Sequence, residues 1–163
     1  MTPSSEIRVM VVDDYEGMRM LICRCLNDLG LTNVRLKPSA DEALAALSAE
    51  RFDLIISDYQ MASGDGLHLL KSVRADPATR HIKFIMLTGS GDQEIVREAL
   101  ALGVDGYITK PVEPRSLKKA ISRHLTTVEA SAGTRDRLSA AAGQRRGSAP
   151  TSAPLWGCEA ALA

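Results

Sequence analysis

The stretch IRVMVVDD, residues 7–14, decides the fold of this chain. Its first six residues form a short run rich in branched apolar side chains, which is typical of a strand buried on both faces. Two carboxylates, Asp13 and Asp14, follow this predicted strand directly. Similar runs recur at FDLIIS (52–57) before Asp58, at KFIML (83–87) before Thr88, and at GYIT (106–109) before Lys110. If these runs are parallel strands, their carboxyl ends lie on one edge of one sheet.

The segments between these runs have the spacing of amphipathic helices. The first of them carries its apolar side chains at Met18, Leu21, Ile22, Cys25, Leu26 and Leu29. Continuous apolar strands alternating with such helices are typical of a parallel sheet covered on both faces. With a weaker strand at 33–37, the sequence predicts an α/β fold for residues 1–125, a doubly wound five-stranded parallel sheet with helices on both faces.

Several residues predict where helices begin and end. Ser39 followed by Glu42 is a capping box for the second helix, and Asp92 is a cap for the fourth. Gly30 suits the end of the first helix, because glycine accepts the left-handed conformation found there. The sequence GDG at 64–66 predicts a turn before the third helix.

Composition narrows the classes of function. The 163 residues contain 20 Lys+Arg and 20 Asp+Glu, so no net field favours nucleic acid or an anionic membrane. No apolar run approaches the roughly 20 residues that a membrane span needs. The amino terminus lacks a basic segment followed by a long apolar one, so we expect no secretory signal and a cytoplasmic location.

The composition changes after residue 125. Residues 126–163 are rich in Ala, Ser, Gly, Thr and Pro, and such a segment buries too little apolar area to order itself. We therefore predict a disordered tail. The alternative is a short docking element, either at Leu155–Trp156 or in the stretch 135–146.

The predicted sheet edge has the chemistry of phosphoryl transfer. Asp58 is the candidate nucleophile, because a carboxylate oxygen can attack phosphorus and form an acyl phosphate. Asp13 and Asp14 alone are more typical of a solvated turn. Together with Asp58 and Lys110 they indicate a site for Mg²⁺, a hard cation that takes carboxylate oxygens and offsets the repulsion between them.

Lys110 and Thr88 are candidates for binding the transferred group. Lys110 would supply a point charge to the phosphoryl oxygens, and Thr88 would donate its hydroxyl. The alternatives are a surface lysine and a β-branched residue that simply ends a strand. Pro111 fixes the turn after Lys110, and the Lys110–Pro111 bond is a candidate for a cis peptide.

Five motifs resemble the receiver domain of bacterial two-component response regulators, especially the stand-alone chemotaxis regulator type. They are VVDD (11–14), SDYQM (57–61), GDGL (64–67), MLTG (86–89) and GYITKP (106–111). The resemblance covers residues 6–125. It implies a flavodoxin-like sheet of order 2-1-3-4-5.

The resemblance also implies residue roles in cation binding. Asp58 would be the phosphoacceptor. Asp14, Asp58 and the backbone carbonyl of Gln60 would bind Mg²⁺ directly, and Asp13 would contribute through water.

Thr88 and Lys110 would sense the phosphoryl group, and Tyr107 matches the switch aromatic of the family. The alternative for Tyr107 is a strand-edge tyrosine half in the core. The output face would be the fourth helix, fifth strand and fifth helix, at 92–124.

Three positions depart from the family or vary within it. Ala62 stands where proline is usual, which predicts a looser loop after Asp58. Gln60 and Ser90 occupy positions that tune how fast the phosphate is lost. We therefore expect their side chains to set the lifetime of the signal by helping or obstructing an attacking water.

The resemblance implies a single-domain response regulator, a switch rather than an enzyme, that catalyses only its own phosphorylation and dephosphorylation. Its donor would be a histidine kinase or phosphotransfer protein, and its output a further protein rather than DNA. It would be a monomer or a weak phosphorylation-dependent dimer. The first alternative is a binding module that works without phosphorylation. The second is a flavin carrier or aspartate-dependent phosphatase on a similar fold, which the absence of a glycine-rich loop after the first strand disfavours.

Overall fold

The computed structural model describes residues 6–62, 64–89 and 93–125, in which strands and helices alternate. The strands are β1 (Arg8–Val12), β2 (Asn33–Lys37), β3 (Leu54–Asp58), β4 (Gln60–Met61), β5 (Gly64–Asp65), β6 (Lys83–Thr88) and β7 (Gly106–Thr109). The helices are α1 (Glu16–Asp28), α2 (Ala40–Ala49), α3 (Gly66–Ala75), α4 (Gln93–Ala101) and α5, which spans 114–125. The predictions for Ser90, Asp92 and the segment 126–163 lie outside the described residues.

Five strands form one parallel sheet in the order β2-β1-β3-β6-β7. Since β6 and β7 are the fourth and fifth predicted strands, the predicted order 2-1-3-4-5 is confirmed. The strand order reverses between β1 and β3, and ligands bind outside the carboxyl ends of parallel strands at such a point. This places the ends of β1 and β3 at the centre of the candidate site.

The core lies in two layers, one on each face of the sheet. Alternation along β1 separates them, because successive side chains of a strand point to opposite faces. Val9 and Val11 pack in the layer that contains the buried side chains of α1 and α5. Met10 and Val12 pack in the layer that contains those of α2, α3 and α4. Both faces are therefore covered, which explains why the strands read as continuous apolar runs.

The ends of two helices agree with the sequence signals. The backbone N–H of Glu42 donates to Ser39 Oγ at 3.2 Å, as the capping box predicts. Gly30 follows α1 with φ of 79°, the left-handed conformation that glycine adopts at no steric cost.

The turn predicted at 64–66 lies elsewhere. Gly64 and Asp65 form a short strand that pairs antiparallel with Gln60 and Met61, and Ala62 lies in the turn between these strands. The Asp65 side chain then accepts from the N–H of His68 at 2.8 Å, so it caps α3. The GDG sequence therefore forms the second strand of a hairpin and the first residue of α3. The turn lies before this sequence, at Ala62.

Along the described ranges, no helix combines the length and the apolar character that a bilayer-spanning segment requires.

Candidate functional site

The carboxyl edge of the sheet brings the predicted polar side chains together. Asp58 is the last residue of β3 and is 3% exposed, and Thr88 is the last residue of β6 and is 1% exposed. Lys110 follows β7 directly, and its backbone N–H donates to the Thr88 carbonyl at 2.7 Å. Strand pairing therefore fixes the relative positions of these three residues.

Lys110 and Asp58 form an ion pair at the centre of this edge. The Nζ atom of Lys110 lies 2.8 Å from Asp58 Oδ1, and the Asp58 side chain is only 4% exposed. The Lys110 side chain is 33% exposed, but burial of the carboxylate makes this pair stronger than one between two fully exposed side chains. The peptide bond between Lys110 and Pro111 is cis, as the sequence suggested.

Asp13 is a buried carboxylate with one oxygen left without a hydrogen-bond donor. It is 1% exposed. Its Oδ1 accepts from the N–H of Tyr15 at 2.8 Å, whereas Oδ2 is buried and has no hydrogen-bond partner among the described residues. Burial raises the pKa of Asp13, the charges of Asp58 and Asp14 add to the rise, and the Tyr15 N–H and Lys110 oppose it.

Three carboxylates lie close enough to hold one cation. Asp13, Asp14 and Asp58 each offer an oxygen, and these oxygens lie within 4.8 Å of one another. Such an all-oxygen set suits Mg²⁺, and a cation or its bound water would satisfy the unpartnered Oδ2 of Asp13. The residues present therefore fit the ion that the sequence predicts.

The loop after Asp58 is tied to the acidic pair. The backbone N–H of Ala62 donates to Asp14 Oδ2 at 2.9 Å. We expected alanine in place of proline to loosen this loop. That looseness stays a prediction. Alanine supplies an N–H donor that proline lacks, and this donor connects the loop to Asp14, which follows β1.

Sequence reasoning missed three residues that support the site. Arg19 Nη1 donates to the Asp13 carbonyl at 2.6 Å, and Ser57 Oγ donates to the Asp58 carbonyl at 2.9 Å. A Cβ added to Gly66 would lie 2.4 Å from the Asp58 carbonyl oxygen. Only Gly66 had a signal in the sequence, as the second glycine of GDGL.

Two predicted residues have exposed side chains. Gln60 is exposed at the start of the hairpin. Tyr107 is 47% exposed on the edge strand β7, and the Thr88 hydroxyl donates to the Gly89 carbonyl at 3.3 Å. In this conformation the tyrosine therefore has much of its surface in solvent.

Comparisons with known proteins agree with this architecture. The family profile described as response regulator receiver domain matches residues 9–122. The chemotaxis protein CheY of Pseudomonas aeruginosa is 34% identical over 117 residues, which cover 72% of this chain and 94% of that protein. CheY-3 of Vibrio cholerae is 32% identical over 120 residues, covering 74% and 92%.

Solved structures give the same result. The chemotaxis response regulator CheY4 of Vibrio cholerae superposes with a TM-score of 0.67 at 33% identity, covering 72% of this chain and 97% of that one. A CheY-like receiver domain protein from Methanospirillum hungatei gives a TM-score of 0.70 at 30% identity, covering 77% and 98%.

Proposed function

Since this chain belongs to the response regulator receiver family, we propose that it is a switch whose phosphoacceptor is Asp58. The observation that carries the proposal is the ion pair between Lys110 and the buried Asp58, 2.8 Å long, beside two further carboxylates. Within the described ranges, this is the ion pair at this edge of the sheet whose carboxylate is buried, while the Lys110 side chain is 33% exposed. A receiver acts in phosphorelay signalling as a switch, so the chemistry concerns the protein's own aspartate.

The proposed step is displacement at phosphorus. A carboxylate oxygen of Asp58 forms the new P–O bond, and the bond to the donor's leaving group breaks. Mg²⁺, held by Asp13, Asp14, Asp58 and the carbonyl of Gln60, would neutralise charge on the phosphoryl oxygens.

The chain's own residues complete the proposed step. Lys110 provides a fixed positive charge to the same oxygens, and Thr88 provides a hydroxyl donor. Both are positioned by the sheet rather than by flexible loops, so little reorganisation is needed when the group arrives.

The donor in this proposal is a histidine kinase or a phosphotransfer protein. The output surface is formed by α4, β7 and α5. It carries two large apolar side chains in solvent, Leu100 at 54% and Tyr107 at 47% exposure. Inward movement of Tyr107 on phosphorylation would change this surface and hence its affinity for a partner protein. A cytoplasmic location, a monomer or weak dimer, and a role for Gln60 in phosphate lifetime stay predictions.

Labelling with acetyl phosphate and Mg²⁺ tests the proposed function. Mass spectrometry of the intact protein should show one added phosphoryl group, absent in Asp58→Asn and absent when EDTA removes the cation. Asp41→Asn, which changes an exposed acid on α2, is the matched control and should label like wild type. Equal labelling of Asp58→Asn and wild type would contradict the proposal. A partner that binds wild type and Asp58→Asn equally under labelling conditions would instead favour a phosphorylation-independent module.

A further inference from the structure

A backbone hydrogen bond joins the loop after Asp58 to a proposed cation ligand. The donor is the N–H of Ala62 and the acceptor is Asp14 Oδ2, 2.9 Å apart and 48 positions apart in sequence. Asp14 follows β1, whereas Ala62 lies in the turn between β4 and β5. Two separate segments that border the site are therefore connected directly at the carboxylate.

The donor is held in place by the hairpin that carries it. Gln60 pairs with Asp65 and Met61 pairs with Gly64. The N–H of Gly66 donates to the Tyr59 carbonyl at 2.7 Å, which closes the base of the hairpin. The Ala62 N–H therefore directly follows Met61, a residue that is paired within this hairpin.

A hydrogen bond of this kind limits how the carboxylate can turn. An ionised carboxylate has about four acceptor positions on its two oxygens, so Oδ2 can accept from Ala62 while the group still binds a cation. Hydrogen bonds to an ionised acceptor are stronger than neutral ones. Because Asp14 is exposed, little else near it would fix its orientation by packing.

We propose that the Ala62 N–H is a positioning group for Mg²⁺ binding. It orients the Asp14 carboxylate, and it couples that ligand to the hairpin that supplies the Gln60 carbonyl. The inference rests on the proposed function, since it assumes that the three carboxylates bind Mg²⁺. This hydrogen bond requires a residue other than proline at position 62, because proline has no backbone N–H.

Mg²⁺ titration by isothermal calorimetry tests the inference. Removing a partner that orients a metal ligand typically weakens metal affinity about 10-fold to 100-fold. We expect a loss near the lower limit for Ala62→Pro, since Asp14 is exposed. Ala62→Ser keeps the N–H at the same position and is the matched control, with the affinity of wild type. Equal or tighter Mg²⁺ binding by Ala62→Pro would overturn the inference.

A second variant separates the lost donor from the restricted backbone of proline. Replacing Ala62 with lactic acid, its α-hydroxy analogue, converts the N–H to an ester oxygen and leaves the side chain unchanged. We expect this protein to lose Mg²⁺ affinity as Ala62→Pro does, and wild-type affinity in the ester would overturn the inference. If wild type bound no Mg²⁺, the proposed function would fail and the inference with it. If wild type bound Mg²⁺ and the ester protein bound it equally, only the inference would fail.

Discussion

At the scale of single residues, the buried carboxylate of Asp13 lowers the stability of the folded protein. Asp13 is buried with one oxygen unpartnered, and a buried acceptor without a donor is costly. Its raised pKa has the same origin, since burial penalises the charged form. The cation proposed above would offset this cost, because it would supply the partner that Oδ2 lacks among the described residues.

Asp13→Asn should stabilise the metal-free protein at pH 7. A buried unsatisfied group costs about 1–3 kcal/mol, and we expect the free energy of unfolding in urea to rise by about the lower value. Because the folded pKa of Asp13 lies above its ordinary value of 3.8, ionising it costs stability as the pH rises through that pKa. The gain in the variant should therefore shrink at acid pH, where wild-type Asp13 is protonated.

Mg²⁺ provides the control for this prediction. Saturating Mg²⁺ stabilises whichever protein binds it, so it should raise the stability of wild type more than that of Asp13→Asn. An Asn variant no more stable than wild type without Mg²⁺ would contradict the account of Asp13.

Gly66→Ala should destabilise the protein and disturb the site. A Cβ there would meet the backbone of Asp58 at 2.4 Å, and backbone cannot move aside as a side chain can. Overpacking of this kind costs about 1–3 kcal/mol, measured by urea denaturation. The same change at Gly17 is the control, because the nearest neighbours of its added Cβ would be side-chain atoms of Tyr15, which is 68% exposed and can swing away. Equal stability of the two variants would show that the contact at Asp58 is unimportant.

At the scale of elements, Arg74 connects the end of α3 to two neighbouring segments by hydrogen bonds. Its guanidinium donates to the carbonyls of Gly103, Arg80 and Ile82, and to Asp105 Oδ2. Asp105 also accepts from the N–H of Phe84 at 2.9 Å. One side chain thus joins α3, the segment before β6 and the segment between α4 and β7.

Arg74→Ala should cost about 2–4 kcal/mol in the free energy of unfolding, since it removes four hydrogen bonds, of which those to Ile82 and Asp105 are partly shielded from solvent. The matched control is Lys71→Ala on the same helix. Its ion pair with Glu98 is about half exposed on both sides, and exposed pairs contribute at most about 1 kcal/mol. Urea denaturation compares the two, and similar losses would contradict the role assigned to Arg74.

The elements differ in how well the sequence predicts them. The five long strands and the capping at Ser39 follow from local patterns, because apolar runs and side-chain caps depend on near neighbours. The β4–β5 hairpin depends on pairs such as Met61 with Gly64. Its strands have two residues each, which is too short for a periodic pattern in the sequence. The bond from Ala62 to Asp14 spans distant segments, so only the folded arrangement reveals it.

At the scale of the whole molecule, the carboxyl end of α5 packs against the sheet through His124. A Cβ on Gly106 would lie 2.6 Å from His124 Nε2, so the ring sits directly on β7. Burial lowers the pKa of His124, Asp105 opposes this, and Lys83 and Arg123 add to it. The fold therefore favours a neutral imidazole at this contact.

This contact predicts a pH dependence of stability. Unfolded His124 takes up a proton near its ordinary pKa of 6.5 and folded His124 only at lower pH. The contribution of the neutral His124 to the free energy of unfolding is therefore fully present above pH 6.5. It is lost as the pH falls from 6.5 through the lower pKa of the folded state. His124→Gln should lose this part of the dependence in urea denaturation at several pH values. His68→Gln, which changes an exposed histidine, should keep it, and identical profiles for wild type and His124→Gln would contradict the prediction.

The most direct test of the central claim locates the phosphorylated side chain. Borohydride reduces an aspartyl phosphate to homoserine, which peptide mass spectrometry can place in the sequence. After treatment with acetyl phosphate and Mg²⁺, we predict homoserine at position 58 and unchanged aspartate at Asp13 and Asp14. Homoserine at either of those two acids, or at none of the three in protein that has gained a phosphoryl group, would contradict Asp58 as the phosphoacceptor.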